Sequence, residues 1–282
     1  MSSTTLLTEY SSPSLSHCLG FCSSPCGCNC LGFNNNTEKC RVLKSCDTVD
    51  MTITEAFWRY YIPTQDLPGD CKTLYDKGCR TSGVYTIYPW VRYSPVCRST
   101  NVFCDMEAGG WTAIQMRKTG SVNFTRNWND YKVGFGNPET DYWIGNDAIH
   151  QLTKDRPSLN VSITLNDVTT KYQVYHEFSV SDENDNYTLF LAGPVTGTLS
   201  DKMLHTDRPI AGMAFSTHDR DNDRKGEGYS CAVKLEGGWW FNNCHQAFLN
   251  GPWAPGIWRE PWSPVLWYGS AITETRMMIR PR

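Results

Sequence analysis

The chain has 282 residues, enough for one large domain or for a small one joined to a larger one. Its formal net charge of -3 and isoelectric point near 6.1 exclude the basic face that a nucleic-acid binder carries. Thirteen cysteines are far more than a cytosolic enzyme of this size keeps, and they point to a secreted, extracellular protein.

Met1-Ser-Ser-Thr-Thr-Leu-Leu has neither the basic start nor the apolar run of a leader peptide, so the natural start is expected upstream. No stretch approaches the roughly 20 apolar residues of a membrane span. The cysteines crowd toward the front. Seven of them (Cys18, Cys22, Cys26, Cys28, Cys30, Cys40 and Cys46) lie in the first 46 residues. Cys71, Cys79, Cys97 and Cys104 follow, and only Cys231 and Cys244 come later. This distribution predicts a small disulfide-rich module over residues 1–63 and a larger domain with its own core over residues 64–282. The junction falls where turn residues from Thr64 to Gly69 follow the aromatic run Phe57 to Tyr61. Cys26-Gly-Cys28-Asn-Cys30 lacks the Cys-x-x-Cys pairs of structural zinc, so disulfides are expected there.

In the larger part, Val84 to Tyr88, Asn160 to Leu165 and Tyr172 to Phe178 alternate as strands do. Asp147 to Leu152 reads as a short helix with Asn146 as its N-cap. Beyond Phe215 the chain is dense in Gly, Pro, Trp and Asn and shows little periodicity. The class is α+β, with an antiparallel sheet, short helices and a loop-rich C-terminal region. Four glycosylation sequons occur, at Asn35, Asn123, Asn160 and Asn186.

Asp219-Arg-Asp221-Asn-Asp223 sets carboxylates at every second position. Read by itself it is a solvated turn or an oxygen-rich site for a hard cation, with Ca²⁺ as the expected ion. An EF-hand is excluded, because the sixth position from Asp219 is Arg224 and the twelfth is Ser230. The aromatic segment Gly237 to Phe241 follows, bracketed by Cys231 and Cys244, which read as a disulfide closing a short loop. Cys244-His245 does not read as a nucleophile and base, since adjacent side chains of an extended chain diverge and no third group orients them. No enzyme signature appears elsewhere, and the chain is not expected to be an enzyme.

From Asp70 onward the chain resembles the fibrinogen C-terminal domain, which fibrinogen chains, ficolins, tachylectins and angiopoietins share. The resemblance rests on Ser82-Gly-Val-Tyr-Thr-Ile87, Val102-Phe-Cys-Asp-Met106, Gly109-Gly-Trp-Thr112, Trp128-Asn-Asp-Tyr131 and Tyr142-Trp-Ile-Gly-Asn146. It continues through Ala211 to Thr217, the acidic loop, Trp239-Trp240, Asn243-Cys-His245 and Met278-Ile-Arg-Pro281. Cys30 to Val42 resembles the tail of a PAN/apple module. The resemblance implies a Ca²⁺ site with side-chain oxygens from Asp221 and Asp223 and carbonyls from Lys225 and Gly226 to Gly228. It pairs Cys71 with Cys104; Cys79 and Cys97, both inside that loop, are taken as the second pair. It implies a ligand pocket of Asn243, Cys244, His245 and Tyr268, with Trp258 and Trp262 competing with Trp253 for a wall, and a cis Asn243–Cys244 bond whose amide points inward. Leu235 stands where the lectins of the family have a wall tyrosine, and the Asn250 to Trp267 segment is shorter than theirs.

Two functions follow from the resemblance. One is a secreted, calcium-dependent, lectin-like recognition protein for N-acetylated or related glycans, serving innate immune recognition. Weak sugar sites need multivalency, so this reading includes a homo-oligomer, although the chain has no collagen-like or heptad segment. The alternative is an extracellular ligand of the angiopoietin or fibrinogen type that grips a protein receptor.

Overall fold

A computed structural model describes residues 6–11, 14, 30–43, 58–61, 67–90, 98–165, 167–199, 201–204, 208–253 and 272–282. The chain divides into two compact units, Met1–Gly110 and Trp111–Arg282.

The first unit opens with four antiparallel strands, β1 (Leu6–Ser11), β2 (Cys30–Asn34), β3 (Lys39–Leu43) and β4 (Trp58–Tyr61), in the order β1-β3-β2-β4. The turn between β2 and β3 is set by Asn34, whose Oδ1 accepts the Asn36 and Thr37 N–H groups at 3.0 and 3.1 Å. Side-chain capture of backbone donors of this kind is what makes Asn a turn former. Phe33 and Cys40 are register partners and both are buried, and Cys40 is disulfide-bonded. Cys18, Cys22, Cys26, Cys28 and Cys46 lie outside the described residues.

Helix α1 (Cys71–Asp76) follows, capped by Asp70, which accepts the Thr73 N–H at 2.7 Å. Strands β5 (Gly83–Ile87) and β6 (Thr100–Asp105) then form an antiparallel pair. The Cys71–Cys104 disulfide joins the first residue of α1 to β6, as the resemblance implies. Cys79 is disulfide-bonded, and its expected partner Cys97 lies outside the described residues.

The second unit is built on an antiparallel sheet with the order β12-β11-β10-β13-β7. Its strands are β7 (Trp111–Arg117), β10 (Ser158–Leu165), β11 (Thr170–Val180), β12 (Leu189–Gly197) and β13 (Ile272–Arg280), while the short β8 (Phe135–Gly136) and β9 (Tyr142–Trp143) pair beside β7. Helices α2 (Trp128–Val133), α3 (Asn146–Leu152) and α4 (Cys231–Leu235) are one to two turns long. The three strands expected from alternation fall on β5, β10 and β11. In β10 the buried residues are Leu159, Val161, Ile163 and Leu165, the period of a strand with one face on a core.

Two expectations change. Asn146 is not the cap of α3. Gly145 holds that position without a side-chain bond, and the Asn146 Oδ1 accepts the Trp143 Nε1–H at 3.0 Å. The C-terminal region is also less irregular than its composition suggests, because β13 runs through the middle of the sheet between β10 and β7. A register shift lies between Met277 and Met278, and the three successive residues Met277, Met278 and Ile279 are buried, which breaks the alternation that would have marked the strand.

The core beside the sheet is aromatic. Phe215 and Trp240 meet edge to face at 5.2 Å, Trp143 lies 6.0 Å from each of them, and Tyr131 packs against Phe215 at 5.1 Å. Such geometries add to the area these rings remove from water. Two of the buried polar tips are bonded: Trp240 Nε1 donates to the Tyr187 carbonyl at 2.8 Å, and the Tyr131 hydroxyl donates to the Phe124 carbonyl at 2.7 Å.

Candidate functional site

The segment from Phe215 to Trp253 has only α4 as regular structure, so side chains and isolated bridges fix its shape. Ser216 and Trp239 exchange two backbone hydrogen bonds of 2.9 and 3.1 Å. Arg224 N–H donates to the Asn242 carbonyl at 3.0 Å, and Cys231 N–H donates to Asp223 Oδ2 at 2.7 Å. These bonds tie the acidic loop to the segment around the Cys231–Cys244 disulfide, whose Cα atoms are 5.4 Å apart.

The three carboxylates of the loop have different tasks. Asp219 Oδ1 accepts the N–H of Trp128, the first residue of α2, at 2.9 Å and the Thr217 hydroxyl at 2.7 Å. Its carboxyl lies below the ordinary range because those bonds favour the charged form and outweigh its desolvation. Asp219 is therefore a structural brace for α2. Arg220, next to it, stacks over Trp128 at 4.0 Å and donates to Asn186 Oδ1 at 2.7 Å.

Asp221 and Asp223 form the pair. Asp221 Oδ1 accepts the Asp223 N–H at 3.1 Å, and Asp223 Oδ1 accepts the Lys225 N–H at 2.7 Å. The Asp223 carboxyl is raised above its usual range, first by burial and then by the neighbouring Asp221 carboxylate, despite the Cys231 and Lys225 N–H bonds that favour its ionised form. A carboxylate disfavoured by desolvation and by a like charge is the situation a hard cation relieves, so the donor chemistry fits Ca²⁺. Among the described residues no three His, Cys, Asp or Glu side chains converge, so two carboxylates need carbonyl oxygens to complete a shell. The Lys225 to Gly228 stretch can supply them. Gly226 and Gly228 have φ of +99° and +79°, a region open to glycine without cost, and the Tyr229 N–H donates to the Gly226 carbonyl at 3.3 Å.

The aromatic segment divides. Trp239, Trp240 and Phe241 are fully buried, so these rings belong to the core and not to an open recognition surface. Leu235 is buried in α4 as well. His245 lies between Phe248 and Phe241, with ring centroids 5.3 and 6.4 Å away, and its Nδ1 is buried with no partner among the described residues. Desolvation, with the positive charge of Arg208 as a second cause, lowers its pKa to about 4, so at neutral pH the ring is uncharged.

The cis bond expected at Asn243–Cys244 is absent. Among the described residues every peptide bond is trans, and Cys244 instead takes a φ of +50°. The tight turn is closed by the Asn242 N–H donating to the Cys244 carbonyl at 2.9 Å. Asn243 is exposed at the tip of this turn. Trp258, Trp262 and Tyr268 lie outside the described residues. Trp253 is described and serves as local packing, facing the Gly120 backbone with the Arg117 guanidinium 5.2 Å from its ring.

A buried set of residues that carries no motif holds this region to the sheet. Arg117, buried at the end of β7, donates to the Gly251 carbonyl at 2.8 Å and stacks on Phe124 at 3.9 Å. Desolvation lowers its pKa to about 10. Gln115 Nε2 donates to the Leu249 carbonyl, Asn250 Oδ1 and Thr275 Oγ1 at 3.2 to 3.3 Å. Buried Asp141 accepts the N–H groups of Lys118, Thr119 and Ser121 and the hydroxyls of Thr119 and Ser121, which keeps its carboxyl well below the usual range. Polar residues inside apolar strands were the available sequence signal for this network.

Comparison with known proteins decides the family. Residues 67–282 match the model described as "Fibrinogen beta and gamma chains, C-terminal globular domain". The chain belongs to that family. The fibrinogen-like domain is 39% identical over 231 residues to bovine fibroleukin and 38% identical over 221 residues to human angiopoietin-2. Those matches take in 76% and 75% of this chain but only 51% and 42% of the relatives, so the chain spans about half the length of the curated proteins it matches. Among solved structures, the fibrinogen-like globe domain of human ANGPTL2 is 34% identical with a TM-score of 0.66, covering 76% of this chain and 99% of that one. The lamprey fibrin D-dimer, complexed with the peptide Gly-His-Arg-Pro-amide, is 35% identical with a TM-score of 0.67, covering 76% of this chain and 73% of that one. The fibrinogen-like domain is not an enzyme. Among the described residues no helix is long and apolar enough to cross a membrane.

Proposed function

We propose that the chain is an extracellular ligand that engages a protein partner through the loop-rich face of its fibrinogen-like domain, with Ca²⁺ bound by Asp221, Asp223 and carbonyls of the Lys225 to Gly228 stretch. The observation that carries this reading is the hard-wired coupling of the acidic loop to the disulfide segment, Asp223 to Cys231 and Arg224 to Asn242. An ion that orders the loop thereby also orders the turn that presents Asn243. The similarity to fibroleukin and angiopoietins, and to a fibrin structure that holds a peptide ligand, supports a protein or peptide as the partner. Secretion is part of the proposal and is supported by the disulfides and by the same relatives.

An acetyl-binding lectin site is less well supported, because the Asn243–Cys244 bond is trans, Leu235 is buried and His245 is closed in by Phe241 and Phe248. The β1-β3-β2-β4 sheet is proposed as the core of the PAN/apple-like module of residues 1–63, ahead of the domain taken from 64 onward. The test is binding of the labelled full chain to cell surfaces pretreated with protease or with glycosidases, in Ca²⁺ or in EDTA. Loss after protease and in EDTA, with retention after glycosidases, is expected. Loss after glycosidases alone, with elution from N-acetylglucosamine resin by free sugar, would restore the lectin reading.

A further inference from the structure

We propose that the chain carries N-linked glycans at Asn35 and Asn123 and carries none at Asn160 or Asn186, although all four are sequons. The inference rests on the secreted reading, since the modification takes place in the secretory lumen. The transfer forms a bond from the Asn Nδ2 to C1 of the first sugar. It breaks the C1–O bond to the pyrophosphate of a lipid-linked oligosaccharide donor, and the displaced amide proton leaves with the lipid pyrophosphate. A finished protein keeps such a glycan only where the fold leaves that nitrogen in solvent.

Asn35 and Asn123 meet this condition. Asn35 is exposed in the turn between β2 and β3, a turn whose backbone donors are taken by Asn34. Asn123 is exposed, and its Oδ1 accepts the Thr125 N–H at 2.8 Å, which commits the oxygen and leaves Nδ2 without a bond among the described residues. The hydroxyl of Thr125 donates to the Glu236 carbonyl at 2.8 Å, and Arg126 Nε donates to the Asn123 carbonyl at 2.9 Å, so this loop is held in shape while the acceptor side chain points to water.

The other two sequons are built into packed structure. Asn160 is in β10, between β11 and β13, directly opposite Val174 and Met278. Asn160 is half-buried and its Oδ1 is buried with no partner, so the side chain is held against its cross-strand neighbours. Asn186 has a left-handed φ of +51°, its Oδ1 holds Arg220 Nη2 at 2.7 Å, and its carbonyl accepts the Phe215 N–H at 2.9 Å. A sugar there would press on the Arg220–Trp128 stack that supports the acidic loop.

The experiment is to express the full chain behind a cleavable secretory leader in eukaryotic cells, which supplies lumenal entry whatever the natural leader is. Secreted protein is deglycosylated enzymatically in heavy-oxygen water, and labelled Asp is located by peptide mass spectrometry. Label at Asn35 and Asn123, with Asn160 and Asn186 unlabelled, is expected. One glycan should disappear in N35Q and one in N123Q, with secretion unchanged. Label at Asn160 or Asn186 in secreted material, or a bare Asn35 or Asn123, overturns the proposal. Intracellular material retained in the same cells is the internal comparison: Asn160 modified there but absent from the secreted pool shows that the fold makes the selection. Bare sites throughout a secreted pool would refute this inference and leave the ligand-binding reading untouched.

Discussion

His245 gives the fibrinogen-like domain an acid sensitivity that can be isolated from every other titrating group. The folded pKa is about 4 against an unfolded value of 6.5, because burial between Phe241 and Phe248 disfavours the imidazolium. The unfolded chain therefore binds the proton first as pH falls, and stability drops below about pH 6.5. With these two values the loss attributable to His245 is about 0.8 kcal/mol at about pH 6, about 2 kcal/mol at about pH 5 and about 3 kcal/mol at about pH 4. The perturbation is His245→Phe, which keeps an aromatic ring of similar volume and removes the titration. Urea unfolding of both proteins, followed by tryptophan fluorescence between about pH 7.5 and about pH 4, gives the difference directly, since other groups contribute equally to each. The wild type should fall away from the variant on the acid side by these amounts. Parallel stability curves, or a curve that separates only above neutrality, would refute the claim that the imidazole is desolvated in the folded state.

Asp141→Ala leaves three backbone N–H groups and two hydroxyls of the 118–121 loop without their acceptor, and should cost on the order of 3 kcal/mol in the same unfolding assay. Gly120→Ala puts a methyl against the Trp253 ring at a φ of +70°, and should cost about 1–3 kcal/mol, with a shift in Trp253 emission. Calcium added at about 100 times its dissociation constant should raise unfolding free energy by about 2.7 kcal/mol, an increment absent from the Asp221→Asn, Asp223→Asn double variant. Asp219→Asn should keep that calcium increment while lowering baseline stability, because Asp219 serves α2 and not the ion.

What the sequence makes legible follows its physical periodicity. Strand β10 announces itself because Leu159, Val161, Ile163 and Leu165 repeat at the period of the pleat. Strand β13 does not, because the shift at Met277 and Met278 places both against the interior. The Asp221 and Asp223 pair is visible as a charge pattern, yet the pattern cannot separate those two from Asp219, since the distinction depends on Trp128, a residue 91 positions away. Asn146 looks like a cap because Asn favours that place, but a tertiary partner, the Trp143 indole, takes its oxygen first. Arg117 and Gln115 are visible as polar residues in an apolar strand, but their partners are not. Their acceptors are carbonyls at Gly251 and Leu249, groups that every residue has and that sequence cannot mark.

These buried polar groups explain how a segment almost without regular structure can present a defined surface. From Phe215 to Trp253 only α4 supplies regular backbone hydrogen bonds, so the remaining backbone must be satisfied by bridges and side chains. Arg117 and Gln115 hold its far end to the sheet, Asp219 and Arg220 hold its near end to α2 and Asn186, and the disulfide joins the two halves. Between these fixed ends lies the Asp221 to Gly228 stretch, where two carboxylates repel and two glycines give no side-chain packing. Asn222, Asp223 and Arg224 anchor this stretch by hydrogen bonds, and its paired carboxylates have the chemistry to take further restraint from a cation. Under the proposed function its contacts to Cys231 and Asn242 would carry that restraint to the Asn243 turn, and ion binding and partner binding at this face would be coupled through two hydrogen bonds.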